Sequence, residues 1–279
     1  MIDQMLALPA GAIRIADIGA AFLGEIPPYQ PLLDNHLAIL FAFEPDPHQS
    51  EALRRHLGVK AVVLQQAVGD GQEHTLHICN HGWTSLLEPD PQALAFFNTF
   101  SRLGHVEATM RIPTRRLDDI DELPQIDFLK MDAQGAELTI LQHGRRKLSD
   151  CVAVQMEASF VAVYRNQPPF GAVDLEMREQ GFIPHRFMDI KRWSIAPAII
   201  GGDPRVPGNQ LLECDILYVR DLVHADGLDD PQLKKLAAVA HHVCRSPDLA
   251  ARCLVELEKR GAIEDGAMAG YLASQGLKR

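Results

Sequence analysis

The 279-residue chain is poor in aromatic side chains, at 6 %, and has no excess of positive charge: 27 Lys and Arg stand against 37 Asp and Glu, a formal net charge of -10. So acidic a chain gains nothing from a polyanionic nucleic acid or an anionic membrane, which argues against both as partners. The one basic trio, Arg145-Arg146-Lys147, reads as a solvated helix end, where cations suit the helix dipole. No apolar run approaches the roughly 18 residues of a membrane-spanning helix. Cysteine is scarce too. Cys79, Cys151, Cys214, Cys244 and Cys253 are odd in number and contain no CxxC pair, which excludes a disulfide framework and fits free thiols in a reducing compartment. The opening "MIDQMLALPAGAIRIADIGA" has neither a basic n-region nor a long apolar h-region, so the expected location is cytoplasmic.

What is present is an alternation of apolar runs and helical stretches. "AIRIADIGA" (12–20), "HLAILFAFEPDP" (36–47) and "AVVLQQAVGD" (61–70) read as buried strands, with a helix, "SEALRRHLG", between the last two, Ser50 as its N-cap and Gly58 as its stop. "EHTLHICN" (73–80) reads as an antiparallel excursion. Strands follow near 106, at 126–132 and at 151–159, with helices over 90–100, 135–147 and 171–180. Strands at 181–187 and 211–221 flank the Gly- and Pro-rich loop 196–210. This order implies a mostly parallel α/β sheet with helices on both faces. After Asp221 only helical periodicity remains. The expected organisation is an α/β domain over 1–221 and a short helical appendage over 222–279, which packs on the sheet or serves self-association as a homo-oligomer contact.

In an open parallel sheet, ligands bind beyond the carboxyl ends of the strands. The residues there are Asp17, Gly19 and Ala20 after the first strand, Glu44 and Pro45 after the second, and Ala67 and Val68 after the third. Asp132 follows the fourth and Glu157 the fifth, so four of five strand ends carry a carboxylate. Glu44 is placed to accept hydrogen bonds from a ribose diol. The first turn has no G-x-G-x-x-G, and no Gly-Lys-Ser/Thr follows, so neither a dinucleotide nor a phosphate cradle is supported. A close-approach glycine with an acid before it suits S-adenosylmethionine, which has a ribose and an amine to offer carboxylates and lacks a pyrophosphate.

"IADIGA", "FAFEPDP", "QQAVGDG", "GWTSLLEPD", "IPTRRLDDI", "DFLKMDAQGAELTILQHG", "VQMEASFVAVYRNQPPFGAVDLEMREQGF" and "LLECDILYVRD" follow one another over residues 13–221. In this order they resemble the FkbM-type S-adenosylmethionine-dependent methyltransferases. The resemblance implies a class I methyltransferase, Rossmann-like fold of seven strands with the last antiparallel. It also implies methylation of a hydroxyl on a small molecule or glycan. The chain departs from the family in two places. Its first turn, "DIGAAFLGEIPPY", lacks the family's Asn and carries a Pro pair, and Gln134 stands where the family has Glu.

Asp132 is the expected base or acceptor-orienting group, with Glu157 second and Lys130, two residues before Asp132 on the same strand face, as its pairing partner. Glu137 is expected to act on the loop before it. Trp83 and Ser85 are candidates for the adenine or acceptor pocket. His74, His77, Cys79 and His81 do not converge as metal ligands must, since His74 and His77 alternate across a strand. His241 and His242 read as ordinary helix residues. Two other readings are a methyltransferase fold reduced to a binding or assembly module and a nicotinamide dehydrogenase. Calorimetric titration separates them: S-adenosylhomocysteine is expected to bind and NAD to give no heat, and the reverse pattern would reinstate the dehydrogenase.

Overall fold

The computed structural model describes residues 2–20, 26–58, 61–79 and 82–278. A short helix, α1 (Ile2–Leu6), precedes β1 (Ile13–Ile18). The chain returns through α2 (Gln30–Asp34) to β2 (Ala38–Phe43) and then through α3 (Pro47–Leu57) to β3 (Ala61–Leu64). Asp46, not Ser50, caps α3: its Oδ1 accepts from the N–H groups of His48 and Gln49, both at 2.8 Å. Pro47 at the first helical position fixes the entry, which leaves Ser50 buried one turn inside.

The run 61–70 is not one strand. The chain breaks at Gln65-Gln66, and Ala67 and Val68 form β4 (Ala67–Val68), which pairs with Thr114 and Arg115. That partner is β6 (Val106–Arg115), whose other edge takes the antiparallel β5 (Glu73–Cys79), giving a small sheet of order β4-β6-β5. Between β5 and β6 lie α4 (Pro91–Phe96) and α5 (Phe100–Leu103).

The large sheet is completed by β7 (Phe128–Met131), β8 (Ala153–Ser159), β9 (Phe182–Trp193) and β10 (Gln210–Arg220), in the order β3-β2-β1-β7-β8-β10-β9. Its strands are parallel except β10, which runs antiparallel to both β8 and β9. This is the seven-stranded arrangement expected from the sequence. Helices α6 (Glu137–Gln142) and α7 (Phe170–Glu179) follow β7 and β8. The helix expected over 135–147 stops at Gln142. At Gly144 a Cβ would lie 2.7 Å from Leu117, so the chain turns there in tight contact. The basic trio is a set of ties and not a solvated end. Arg145 pairs with Glu176 and Glu179, and the buried Lys147 donates to the Leu123 carbonyl.

Alternate residues face opposite sides of the sheet. Ala16, Phe41, Leu129, Met156 and Tyr218 face one core; Ile15, Leu40, Phe128, Ala153 and Leu217 face the other. Three helices, α8 (Asp230–His242), α9 (Pro247–Lys259) and α10 (Ala267–Ser274), belong to this second core. Leu236, Ala237, Ala238, Val239 and Ala240 of α8 are all fully buried. Apolar residues of all three helices are thus covered by their own chain. His242 Nε2 sits 2.7 Å from Asp3, and the His241 ring meets the Tyr271 hydroxyl. Among the described residues no helix is long and apolar enough to cross a membrane, and all five cysteines are buried as free thiols.

Lys235 of α8 reaches Asp127, just before β7, at 2.7 Å; Asp127 is 1 % exposed and its other oxygen accepts from the Arg14 N–H at 2.7 Å. Lys235→Ala strands that carboxylate, and a loss of about 3–5 kcal/mol in urea unfolding is expected. A loss under about 0.5 kcal/mol would show that the pair does no more than a surface one.

Candidate functional site

The carboxyl ends of β2, β1, β7 and β8 bring most of the expected site residues into two adjacent rows. Asp17 stands in register with Ala42 of β2 and Lys130 of β7, and Lys130 with Gln155 of β8. One step further along lie Glu44, Gly19, Asp132 and Glu157, the last opposite Asp215 of β10. Asp17 and Lys130 therefore continue the face whose lower rows, Ile15 and Phe128, are packed under the C-terminal helices. A strand period of two dictates this: the face is apolar below and charged at the rim.

Gly19 makes the two central turns compatible. Its φ is +79°, and a Cβ there would fall 2.1 Å from the Asp132 carbonyl oxygen. Its N–H and that of Ala20 both donate to the Phe43 carbonyl at 3.1 Å, and the Asp132 N–H donates to the Ile18 carbonyl at 3.0 Å. Glu44 is buried, and Oε1 accepts from the Asp46 N–H at 2.8 Å. Burial raises its carboxyl above the usual range, an effect the Asp46 N–H opposes. Pro45 lies beside it, half-buried. Residues 21–25, the centre of the unusual first turn, lie outside the described residues, as do Asn80 and His81.

Lys130 does not pair with Asp132. Its Nζ meets Asp17 Oδ1 at 3.1 Å, because register places Asp17 directly across on β1. Asp17 is 3 % exposed, and Oδ2 accepts from the Tyr29 hydroxyl at 2.6 Å. Burial pulls the Lys130 ammonium down, but Asp17 and then Asp132 outweigh it and hold it above its ordinary value. Burial, reinforced by Asp17, raises the Tyr29 phenol, which stays a donor.

Asp132 is exposed, not buried as a core strand end would be, and Glu157 lies within β8 and not after it. Gln134 joins them. Its backbone is left-handed (φ +48°), and its Nε2 donates to Asp132 Oδ1 at 2.7 Å and to Glu157 Oε1 at 3.5 Å. The Tyr164 hydroxyl donates to Gln134 Oε1 at 2.9 Å, which turns the amide nitrogen toward the two acids. Ser85 Oγ donates to the Gln134 carbonyl at 2.6 Å and accepts from Leu87 N–H at 3.0 Å, so it holds the loop from behind. Glu137 acts on the same loop, accepting from the N–H groups of Ala133 and Gly135 at 3.0 and 3.2 Å; burial and then Asp132 push it up to about 7. Burial, then Asp132, Glu213 and Glu137, push Glu157 to about 9.

Ala67 and Val68 are set apart in the small sheet, with buried side chains. Next to them is Gln66, whose Oε1 is buried with no hydrogen-bond partner among the described residues. Trp83, Phe97, Phe100, Tyr164 and Trp193 pack into one cluster, which draws the loops around 80–105, 160–170 and 190–210 together. Asn98 ties the cap down through Ser194 and the Ala198 carbonyl. A groove of about 390 Å³ opens between Thr99-Arg102 and Asp203-Arg205 of these loops. His74 pairs with Asp70 at 2.8 Å, and among the described residues no cluster of acids, His and Cys has a metal-holding arrangement. Tyr29, Tyr164 and Gln66 were not foreseen as site residues. For Gln66 the quoted "QQAVGDG" stretch carried the signal; for the tyrosines, no spacing points at a partner reached through a loop.

Comparison with known proteins gives one decisive match: the model of the methyltransferase FkbM domain covers residues 17–184. No curated protein matches. Among solved structures, precorrin-6y C5,15-methyltransferase from Geobacter metallireducens shares 12 % identity over 78 % of this chain and 85 % of that one, with a TM-score of 0.38. Magnesium protoporphyrin IX methyltransferase from Synechocystis, with bound S-adenosylmethionine, shares 9 % over 79 % and 78 %, with a TM-score of 0.39. At such values these two likenesses add nothing to the family match. The chain belongs to the FkbM methyltransferase family, and its methyl donor is S-adenosylmethionine.

Proposed function

We propose that the chain methylates a hydroxyl oxygen of a small molecule or glycan, with Asp132 receiving the acceptor's proton. The observation that carries this reading is the asymmetry of the two acids under Gln134. Glu157 is half-buried and pushed to about 9, so it holds its proton at neutral pH and is a poor base. Asp132 is exposed at the end of β7, with one oxygen fixed by the Gln134 amide and no hydrogen bond to the other among the described residues. It is the member of the pair that a substrate can reach.

The residues present fit the donor. Gln66 Oε1 is a buried acceptor in need of a donor, as the adenine amine supplies. Glu44 has one oxygen committed to Asp46 and suits the ribose diol with the other. Ala20 and Pro45 flank these positions, while Ala67 and Val68 offer backbone. When bound, S-adenosylmethionine supplies an electrophilic methyl on a sulfonium. Asp132 would orient the acceptor hydroxyl toward that methyl and take its proton as the methyl passes from sulfur to oxygen, the C–S bond breaking and S-adenosylhomocysteine leaving as a neutral thioether. Tyr164 and Gln134 keep the Asp132 carboxylate pointed, and Ser85 and Glu137 tie down the loop that carries Asp132 and Gln134. The acidic balance favours a small molecule or glycan over a nucleic acid as acceptor.

Asp132→Asn is expected to lower turnover by about 10²–10⁴-fold while S-adenosylhomocysteine still binds. The assay is transfer from labelled donor across a panel of glycans and hydroxylated metabolites, and full turnover by the folded variant would end the assignment. Glu157 generates a second expectation. From its ordinary value of 4.5 up to about 9, the folded chain keeps a proton that the unfolded chain has lost. Its burial therefore costs stability increasingly as pH rises through that window. Glu157→Gln should raise the melting temperature at pH 8–9 and leave it nearly unchanged near pH 4.5. An equal shift at both pH values would show that charge is not the cause.

A further inference from the structure

We infer that the amino-acid tail of the methyl donor is received through its carboxylate by Lys130, and that Asp17, the acid of the first turn, is a buried counter-charge that does not touch the tail. The inference rests on the methyltransferase reading of this site and goes beyond it by assigning a binding role to a residue placed on geometry alone.

Asp17 has no free side. Oδ2 takes the Tyr29 hydroxyl at 2.6 Å, Oδ1 takes the Lys130 ammonium at 3.1 Å, and the side chain is 5 % exposed. Tyr29 is itself 3 % exposed and seals that side. The first turn delivers it: the Gln30 N–H closes on the Pro27 carbonyl at 3.0 Å, and α2 starts immediately after Tyr29. An incoming ammonium would have to displace a buried phenol that has no other hydrogen-bond partner among the described residues.

Lys130 is open where Asp17 is closed. Its side chain is 23 % exposed at the rim of the sheet, between the Gly19 and Asp132 turns. An ammonium has three donors, and Asp17 uses one. The charges acting on it are Asp17 of β1, Asp132 at the end of its own strand and Asp215 of β10, so it stays a cation, and Asp215 is itself engaged by Gln155 Nε2 at 3.4 Å. A cation with spare donors at the carboxyl end of the central strands is the complement of a carboxylate. The sulfonium and the ammonium of the donor offer it only repulsion, so it also fixes which end of the tail faces the sheet.

The test is calorimetry with three probes: S-adenosylmethionine, its decarboxylated form, which lacks only the carboxylate, and 5′-methylthioadenosine, which lacks the whole amino-acid group. The native chain should prefer S-adenosylmethionine over the decarboxylated form by about 10–100-fold, the range of a hydrogen bond to a charged group. Lys130→Met should abolish that preference while leaving methylthioadenosine affinity within about 2-fold. Because this variant strands Asp17, the Asp17→Asn/Lys130→Met double variant removes both charges and should show the same loss. Asp17→Asn alone should keep the preference. If Lys130 variants retain the preference, or if Asp17→Asn weakens both aminated probes but not methylthioadenosine, the assignment is overturned and Asp17 holds the amine. If the native chain binds none of the three up to millimolar concentration, the donor site itself is misplaced and the assignment falls with it.

Discussion

Everything at the rim of the sheet depends on a contact with no room for a side chain. The turn after β1 and the turn after β7 meet at Gly19, where a single added carbon would sit 2.1 Å from the Asp132 carbonyl. The left-handed backbone of Gly19 allows the chain to leave β1 without lifting away from β7. That proximity sets Asp17 across from Lys130 and carries Asp132 to the open edge. It also lets the Gln134 loop fold back under the cap. A larger residue would force the two turns apart.

The second constraint is that one face of one sheet has two jobs. Its lower rows are apolar and covered by α8 and α9; its upper rows are charged and stand at the carboxyl rim. Charges on this sheet are matched by pairs at both ends: Asp17 with Lys130 and Glu213 with Lys191 at 2.7 Å at the rim, and Asp127 with Lys235 at the opposite end of β7. Glu157 has no such direct partner among the described residues and keeps a proton instead. Gln134 adds to this economy of charge. A carboxylate in its position would place a third acid beside Asp132 and Glu157, whereas the amide offers both a donor.

The large sheet was legible because buried parallel strands are continuous apolar runs, and the order of motifs supplied their arrangement. Strand-end placement named Asp17, Gly19, Glu44, Asp132 and Glu157, and the structure sets them in adjacent rows near the carboxyl edge of the sheet, with Glu157 inside β8, since that argument needs only the period of a strand and the edge where it stops. Pairing was less legible. Lys130 shares a face with Asp132 along β7, but the neighbour across the ladder, Asp17, is nearer than the one along the strand, and register is a property of two segments. The break at Gln65-Gln66 was hidden for the same reason: β4 exists because β6 is beside it, with Gly69 packed against Thr114. Tyr29 and Tyr164 reach the site through loops, and loops carry no periodicity to read.

The ion pair between Asp127 and Lys235 joins residues 108 positions apart, and the hydrogen bond between Asp3 and His242 spans 239. The face of β1 that begins the sheet is thus closed by helices encoded near the other end of the described chain. While the polypeptide emerges from the ribosome, the apolar rows of β1, β2 and β7 stand uncovered long after those strands are made. Apolar strand faces left uncovered in this way are prone to aggregate until the helices are made. A chain cut before α8 would leave those apolar rows without the helices that cover them.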